Sequence, residues 1–214
     1  MKKFNNKKYI LFDNDGVLVE TEKWYYEASI RALNEIDSHL DFDEYMEIMS
    51  SGSGVWVKAL ANGVPEKVII EARNKRNLYY QEYLRTKDLM IPNVKNILNE
   101  LSKKYKMGIV TTSRRVDFEI IHNGQGITDF MDFILCEEDY EFAKPHPQPY
   151  LKGLDIFKGN KENAIIIEDS QRGLQSAVAA NIDCLIVHNE FTKTQDFSSA
   201  SHKIDTLEEL LSLL

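Results

Sequence analysis

Five short apolar runs constrain the fold of this chain more than any other feature: Tyr9–Phe12, Met107–Thr111, Phe133–Cys136, Ala164–Ile167 and Cys184–Val187. Each is continuous. A strand with one wet face alternates apolar and polar residues, whereas a strand buried on both faces does not. The runs are therefore predicted strands of a parallel sheet covered by helices. Helical patterns lie between them. Val94, Ile97, Leu98, Leu101 and Tyr105 form one apolar face, and Pro147–Phe157 and Gly173–Ala180 read similarly. From about residue 90 onward helix and strand alternate, the signature of a doubly wound α/β domain.

Residues 18 to 90 break that rhythm. They hold no convincing strand, but four helical stretches: Glu22–Glu35, Phe42–Met49, Ser53–Ala61 and Pro65–Asp88. Gly52, Gly54 and the Gly63-Val64-Pro65 turn punctuate them. A strand, then helices, then a resumed α/β pattern predicts an inserted helical domain, with hinges near Val17–Glu20 and Leu89–Pro92. A length of 214 residues suits one domain with such an insertion. Leu207–Leu214 is predicted to be a short final helix.

Several function classes are disfavoured. A formal net charge of -8 repels a nucleic-acid backbone. The basic start, MKKFNNKKY, is followed by no long apolar stretch, and no run reaches the length of a membrane span. Cys136 and Cys184 have no metal-binding spacing and are expected to be reduced thiols of a cytoplasmic protein. The acidic stretch Glu35–Glu47 is expected to be a solvated face.

In open α/β sheets the ligand lies outside the carboxyl ends of the strands. Asp13 and Asp15 follow the first run; Thr111 closes the second, and Thr112, Ser113, Arg114 and Arg115 follow it. Lys144-Pro145 comes after the third, and Glu168, Asp169 and Ser170 after the fourth. Singly, each has an ordinary structural reading: an Asx turn, a helix cap at Ser113, a surface lysine, a charged helix start. Together, in order and all at strand ends, they describe one site. Asp13, Glu168 and Asp169 supply hard oxygens for magnesium, whose charge makes crowded carboxylates tolerable. Lys144 and the Thr111 hydroxyl suit phosphoryl oxygens. Asp13 can attack phosphorus, and Asp15 can pass a proton to the leaving oxygen and later take one from water.

These motifs resemble the haloacid dehalogenase superfamily, in the branch with a helical cap after the first strand. DNDGVLVETE, Asp13 to Glu22, matches the first motif; IVTTS matches the second. Lys144 in KPHPQPYL matches the third, and IIIEDSQRGLQSAVAANI, Ile165 to Ile182, the fourth. The resemblance spans essentially the whole chain. It implies a Rossmann-like parallel-sheet core at 1–17 and 91–214, a helical cap at 18–90, and magnesium (Mg2+) held by Asp13, Asp15, Glu168 and Asp169. Thr111, Thr112, Ser113 and Lys144 fall at the phosphate-binding places. Asp15 points to phosphoryl transfer rather than dehalogenation. The fourth motif also looks like that of β-phosphoglucomutases, but Tyr25, Val55 and Arg115 stand where those enzymes carry histidine, arginine and asparagine.

The expected function is hydrolysis of a small phosphorylated metabolite such as phosphoglycolate, a sugar phosphate or pyrophosphate. A phosphosugar mutase and a non-catalytic phosphometabolite-binding protein are the alternatives; monomer or dimer is left open. Four residues are candidates for substrate choice. Gly52 and Trp56 lie in the loop that the resemblance places toward the substrate. Arg114 and Arg115 are two adjacent cations that could hold a second anionic group. Lys58, His146 and His188 read as ordinary polar residues.

Overall fold

The computed structural model describes residues 4–214. They form two compact units, one of residues 4–20 and 89–214 and one of residues 21–88. The first is built on a six-stranded sheet in which every pairing is parallel: β1 (Tyr9–Phe12), β2 (Lys106–Val110), β3 (Phe133–Leu135), β4 (Ala164–Glu168), β5 (Asp183–Val187) and β6 (His202–Ile204). The order is β3-β2-β1-β4-β5-β6. The chain therefore winds outward from β1 in one direction, returns, and winds outward in the other. This makes the crevice beside β1 the switch point where such sheets bind ligands.

The predicted runs are strands because both of their faces are covered. Leu11, Val110, Ile166 and Ile186 pack with Tyr150, Leu154, Leu174 and Ala177. The last four lie on α7 (Gln148–Ile156) and α8 (Gln171–Ala180). The alternate residues Ile10, Phe12, Ile109, Ile165, Ile167 and Leu185 are also fully buried. Each such side chain contributes about 1.5–3 kcal/mol relative to exposure. β6 was not predicted: only Ile204 of its three residues is buried, so this edge strand carries no continuous apolar run. The amphipathic α5 (Val94–Ser102) buries four of the five predicted positions, Val94, Ile97, Leu98 and Leu101; the helix ends before the fifth, Tyr105, which is half-buried. The final segment is a 3-10 turn at Leu207–Glu209 running into a single helical turn at Leu210–Leu213.

The second unit is all helical: α1 (Glu22–Asn34), α2 (Phe42–Ser51), α3 (Val57–Ala61) and α4 (Glu66–Thr86). A capping box starts α2: Asp41 Oδ1 accepts from the Glu44 amide at 2.8 Å, and Glu44 Oε2 accepts from the Asp41 amide at 3.2 Å. Gly52 ends it at φ 75°. The helix expected over Ser53–Ala61 begins only at Val57, because Gly54 holds a left-handed φ of 79°. Tyr25 on α1 packs edge-on to Tyr80 on α4 at 5.2 Å, and Arg76 donates to the Tyr25 hydroxyl. The chain leaves the first unit at Glu20 and rejoins it at Leu89, where the Glu20 amide donates to the Leu89 carbonyl at 2.9 Å. Among the described residues no helix is long and apolar enough to cross a membrane.

Candidate active site

Strand register sets the first contact. Phe12 on β1 pairs with Ile167 on β4, so the next residues, Asp13 and Glu168, emerge side by side. The Asp13 amide still donates to the Ile167 carbonyl at 2.9 Å, after which the chain turns, with the Val17, Leu18 and Val19 amides all donating to the Asn14 carbonyl. Gly16 closes this turn at φ 76°, and a Cβ there would lie 2.0 Å from Asp169 Oδ2. Glycine is needed both for the backbone and for the approach of Asp169.

Lys144 holds the pair together. Its Nζ lies 2.8 Å from Asp13 Oδ1 and 2.7 Å from Glu168 Oε1, and the side chain is almost wholly buried. A surface lysine was its ordinary reading; the structure places it inside, over the Tyr150 ring at 4.7 Å. Burial disfavours its charge, but Asp13 and Glu168 outweigh that and hold the ammonium above its usual range. Both oxygens of the Glu168 carboxylate are engaged. Oε1 also accepts from the Tyr150 hydroxyl at 2.7 Å, and Oε2 accepts from the Asp169 amide and from the amide and hydroxyl of Ser170. Those bonds and Lys144 overcome desolvation and depress its pKa. Asp13 goes the other way: burial, then Glu168 and Asp15, push it well above the usual carboxylate range despite Lys144.

A second cluster surrounds Asp15. Its Oδ2 accepts from Ser113 Oγ at 2.6 Å, Thr111 Oγ1 at 3.1 Å and Asn14 Nδ2 at 3.3 Å. The ordinary structural reading of Ser113, a helix cap, does not hold: α6 (Arg115–His122) starts from Arg114 without a side-chain cap, and the Ser113 hydroxyl goes to Asp15. Asn14 is fixed in turn by the buried His122, whose Nε2 lies 2.7 Å from Asn14 Oδ1. The amide nitrogen of Asn14 already donates to Asp15, so His122 Nε2 carries the proton. His122 Nδ1 is buried without a hydrogen-bond partner.

Asp169 completes the acidic group. Its Oδ2 accepts from Asn189 Nδ2 at 2.9 Å, and its carbonyl from the Thr192 hydroxyl at 2.7 Å. Oxygens of Asp13, Glu168 and Asp169 lie within 4.8 Å of one another, all buried. This set fits a divalent cation such as Mg2+: every donor is a hard carboxylate oxygen, and three buried acids face a single ammonium. Asp15, expected among the metal carboxylates, is not in this group, because the hydroxyls of Thr111 and Ser113 draw its side chain toward the end of β2.

The cationic candidates divide. Arg114 donates through Nε and NH2 to Asp117 Oδ2, at 2.8 and 2.6 Å, and Arg115 pairs with Asp139. Arg172, which the sequence reading passed over, reaches Thr112 Oγ1 at 3.2 Å. Gly52 and Trp56 belong to the helical unit, where Gly52 ends α2 and Trp56 is buried at the start of α3. Other residues missed by sequence reading are Asn14, His122, Tyr140, Tyr150 and Asn189. Their signal is tertiary, except for Asn14, which lies between the two aspartates. The Tyr140 hydroxyl donates to the Thr111 carbonyl at 2.6 Å. Both cysteines are buried free thiols, and burial pushes Cys136 up to about 12.

The sequence model of the haloacid dehalogenase-like hydrolases matches residues 10–187. CbbY from Rhodobacter sphaeroides, solved with phosphate, superposes with a TM-score of 0.81 at 22% identity, covering 95% of this chain and 96% of that one. The phosphoglycolate phosphatase of Colwellia psychrerythraea is 24% identical, over 98% of this chain and 97% of its own. Pyrophosphatase PpaX of Bacillus cereus strain Q1 is 27% identical, over 77% of this chain and 76% of its own.

Proposed function

The chain belongs to the haloacid dehalogenase-like hydrolases, and from that premise we propose that it is a magnesium-dependent phosphatase that hydrolyses a small phosphomonoester through an aspartyl phosphate. The observation that carries this reading is the Asp13 carboxylate at a strand end, 2.8 Å from a buried ammonium and clustered with Glu168 and Asp169.

Asp13 attacks phosphorus, the ester P–O bond breaks, and protonated Asp15 gives its proton to the leaving oxygen. Asp15, now ionised, takes a proton from a water that attacks the phosphoaspartate; the bond to Asp13 breaks and inorganic phosphate leaves. Lys144 orients Asp13 and offsets charge on the phosphoryl oxygens. Thr111 and Ser113 position the Asp15 carboxylate, and with Thr112 they line the phosphoryl site. Asp13 and Asp169 would hold the magnesium ion, with Glu168, whose oxygens already accept five hydrogen bonds, acting through charge and through Lys144. When bound, the ion supplies positive charge that lets an anionic ester approach the carboxylates.

Relatives named for phosphoglycolate and pyrophosphate hydrolysis support a small, highly charged substrate. A mutase gains no support from the helical unit: the Tyr25 hydroxyl, at the place of the mutase histidine, is engaged by Arg76. The test is phosphate release from phosphoglycolate, sugar phosphates, pyrophosphate and p-nitrophenyl phosphate, with and without magnesium. Release should require the metal and fall by a factor on the order of 10³ in Asp13→Asn. Full turnover in that variant, with its fold intact by circular dichroism, would remove Asp13 as nucleophile and this reading with it.

A further inference from the structure

We propose that Arg172 binds a second anionic group on the substrate, so that the enzyme selects phosphomonoesters that also carry a carboxylate or another phosphate. This rests on the phosphatase reading above and names its substrate class.

Three observations meet at Arg172. The first is position. Its guanidinium NH2 donates to Thr112 Oγ1 at 3.2 Å, one residue beyond Thr111 at the end of β2. It also lies within electrostatic range of the Tyr140 phenol, on which Lys144 and Asp13 act as well. Arg172 thus lies next to Thr112 at the end of β2, one residue from Thr111, whose hydroxyl reaches Asp15. The second is availability. Arg114 and Arg115 pair with Asp117 and Asp139, and Lys144 with Asp13 and Glu168. Arg172 is half-buried and makes no ion pair with a carboxylate among the described residues. One hydrogen bond to a threonine leaves most of its planar fork of five donors open to bidentate capture of an anion.

The third is local cost. Arg172 lies in the first turn of α8, just after the Ser170 cap, where no acidic residue stands. The helix dipole favours acids there and disfavours a cation. A charge kept against local preference, beside a site and with no carboxylate partner among the described residues, is the pattern expected of a functional residue. Charge balance agrees. Asp13, Asp15, Glu168 and Asp169 outnumber Lys144, and a substrate with two anionic groups adds more negative charge than one divalent ion offsets. Arg172 adds one cation against that excess.

The experiment compares Arg172→Gln with the unsubstituted enzyme on 2-phosphoglycolate, a sugar bisphosphate and ethyl phosphate. The ratio of kcat/KM for each doubly anionic ester to that for ethyl phosphate should fall about tenfold, chiefly through KM. Arg172→Lys should recover part of it. A fall confined to one ester would identify the second group as carboxylate or phosphate. An equal loss on all three esters, or none, would overturn the proposal. The same ratio is read without chemistry by calorimetric binding of the three esters to Asp13→Asn, with and without Arg172→Gln. If the unsubstituted enzyme released no phosphate, the phosphatase reading would fall, and this binding comparison would still decide Arg172.

Discussion

Lys144 Nζ lies 2.8 Å from Asp13 Oδ1, with both side chains buried at the switch point of the sheet. A buried ammonium is costly alone, and so is a buried carboxylate beside another carboxylate. Here each makes the other tolerable: burial and Glu168 push the Asp13 pKa up, Lys144 opposes that, and the ammonium holds the proposed nucleophile in one orientation.

Lys144→Met removes the ammonium that pairs with Asp13 and Glu168 while keeping most of its apolar volume. Stability at pH 7.5 should fall by about 3–5 kcal/mol, since one partner of a buried pair is lost. The loss should shrink as pH falls, because Asp13 can then take up a proton and end its repulsion with Glu168. Asp13→Asn/Lys144→Met should be more stable than Lys144→Met alone. Urea unfolding of the three proteins at two pH values measures this. If the double variant were the less stable, repulsion between Asp13 and Glu168 would not be the cause.

Gly173→Ala tests the seat of Glu168. A Cβ at this position would lie 1.7 Å from Glu168 Oε1, and the Glu168 carboxylate cannot move without surrendering its bonds to Lys144 and Tyr150. The variant should lose about 1–3 kcal/mol of stability. It should also need more magnesium for half-maximal phosphate release. Titration of activity with the metal, alongside thermal unfolding, reads both effects. An unchanged magnesium requirement would mean that Glu168 does not shape the metal group.

His122 should make stability fall in mild acid. Burial, partly offset by Asp15, lowers its pKa from 6.5 to about 4, and Nδ1 has no acceptor to receive an added proton. The unfolded chain therefore binds this proton first as pH drops. The contribution is complete above about pH 6.5 and is lost progressively as pH falls toward 4. Between pH 7.5 and 5 it amounts to about 2 kcal/mol. In His122→Asn that part of the pH dependence should vanish, as measured by the difference between wild-type and variant urea unfolding at the two pH values. Parallel curves would show that His122 is not held neutral.

Five of the six strands, the helical stretches and the chemical inventory were legible in the sequence. Their signals are local: a continuous apolar run reports burial on two faces, and polar residues at its end report the ligand side of the sheet. Asp13, Asp15, Thr111, Lys144, Glu168 and Asp169 were legible that way, as was the helical insertion. Tertiary structure decided who meets whom. Lys144 lies 131 positions from Asp13 and 24 from Glu168, and the three meet because β1 pairs with β4 and the segment between β3 and α7 carries Lys144 to the ends of that pair. The same holds for His122 and Asn14, 108 positions apart, and for Asn189 on Asp169. It holds also for Arg115 and Arg172. Arg114 and Arg115 carry the more conspicuous sequence signal, yet Arg114 pairs with Asp117 three residues on and Arg115 with Asp139, while Arg172 lies beside Thr112 with no carboxylate partner among the described residues; the first pair has a local spacing, and the other two relationships depend on distances across the fold that no local pattern encodes.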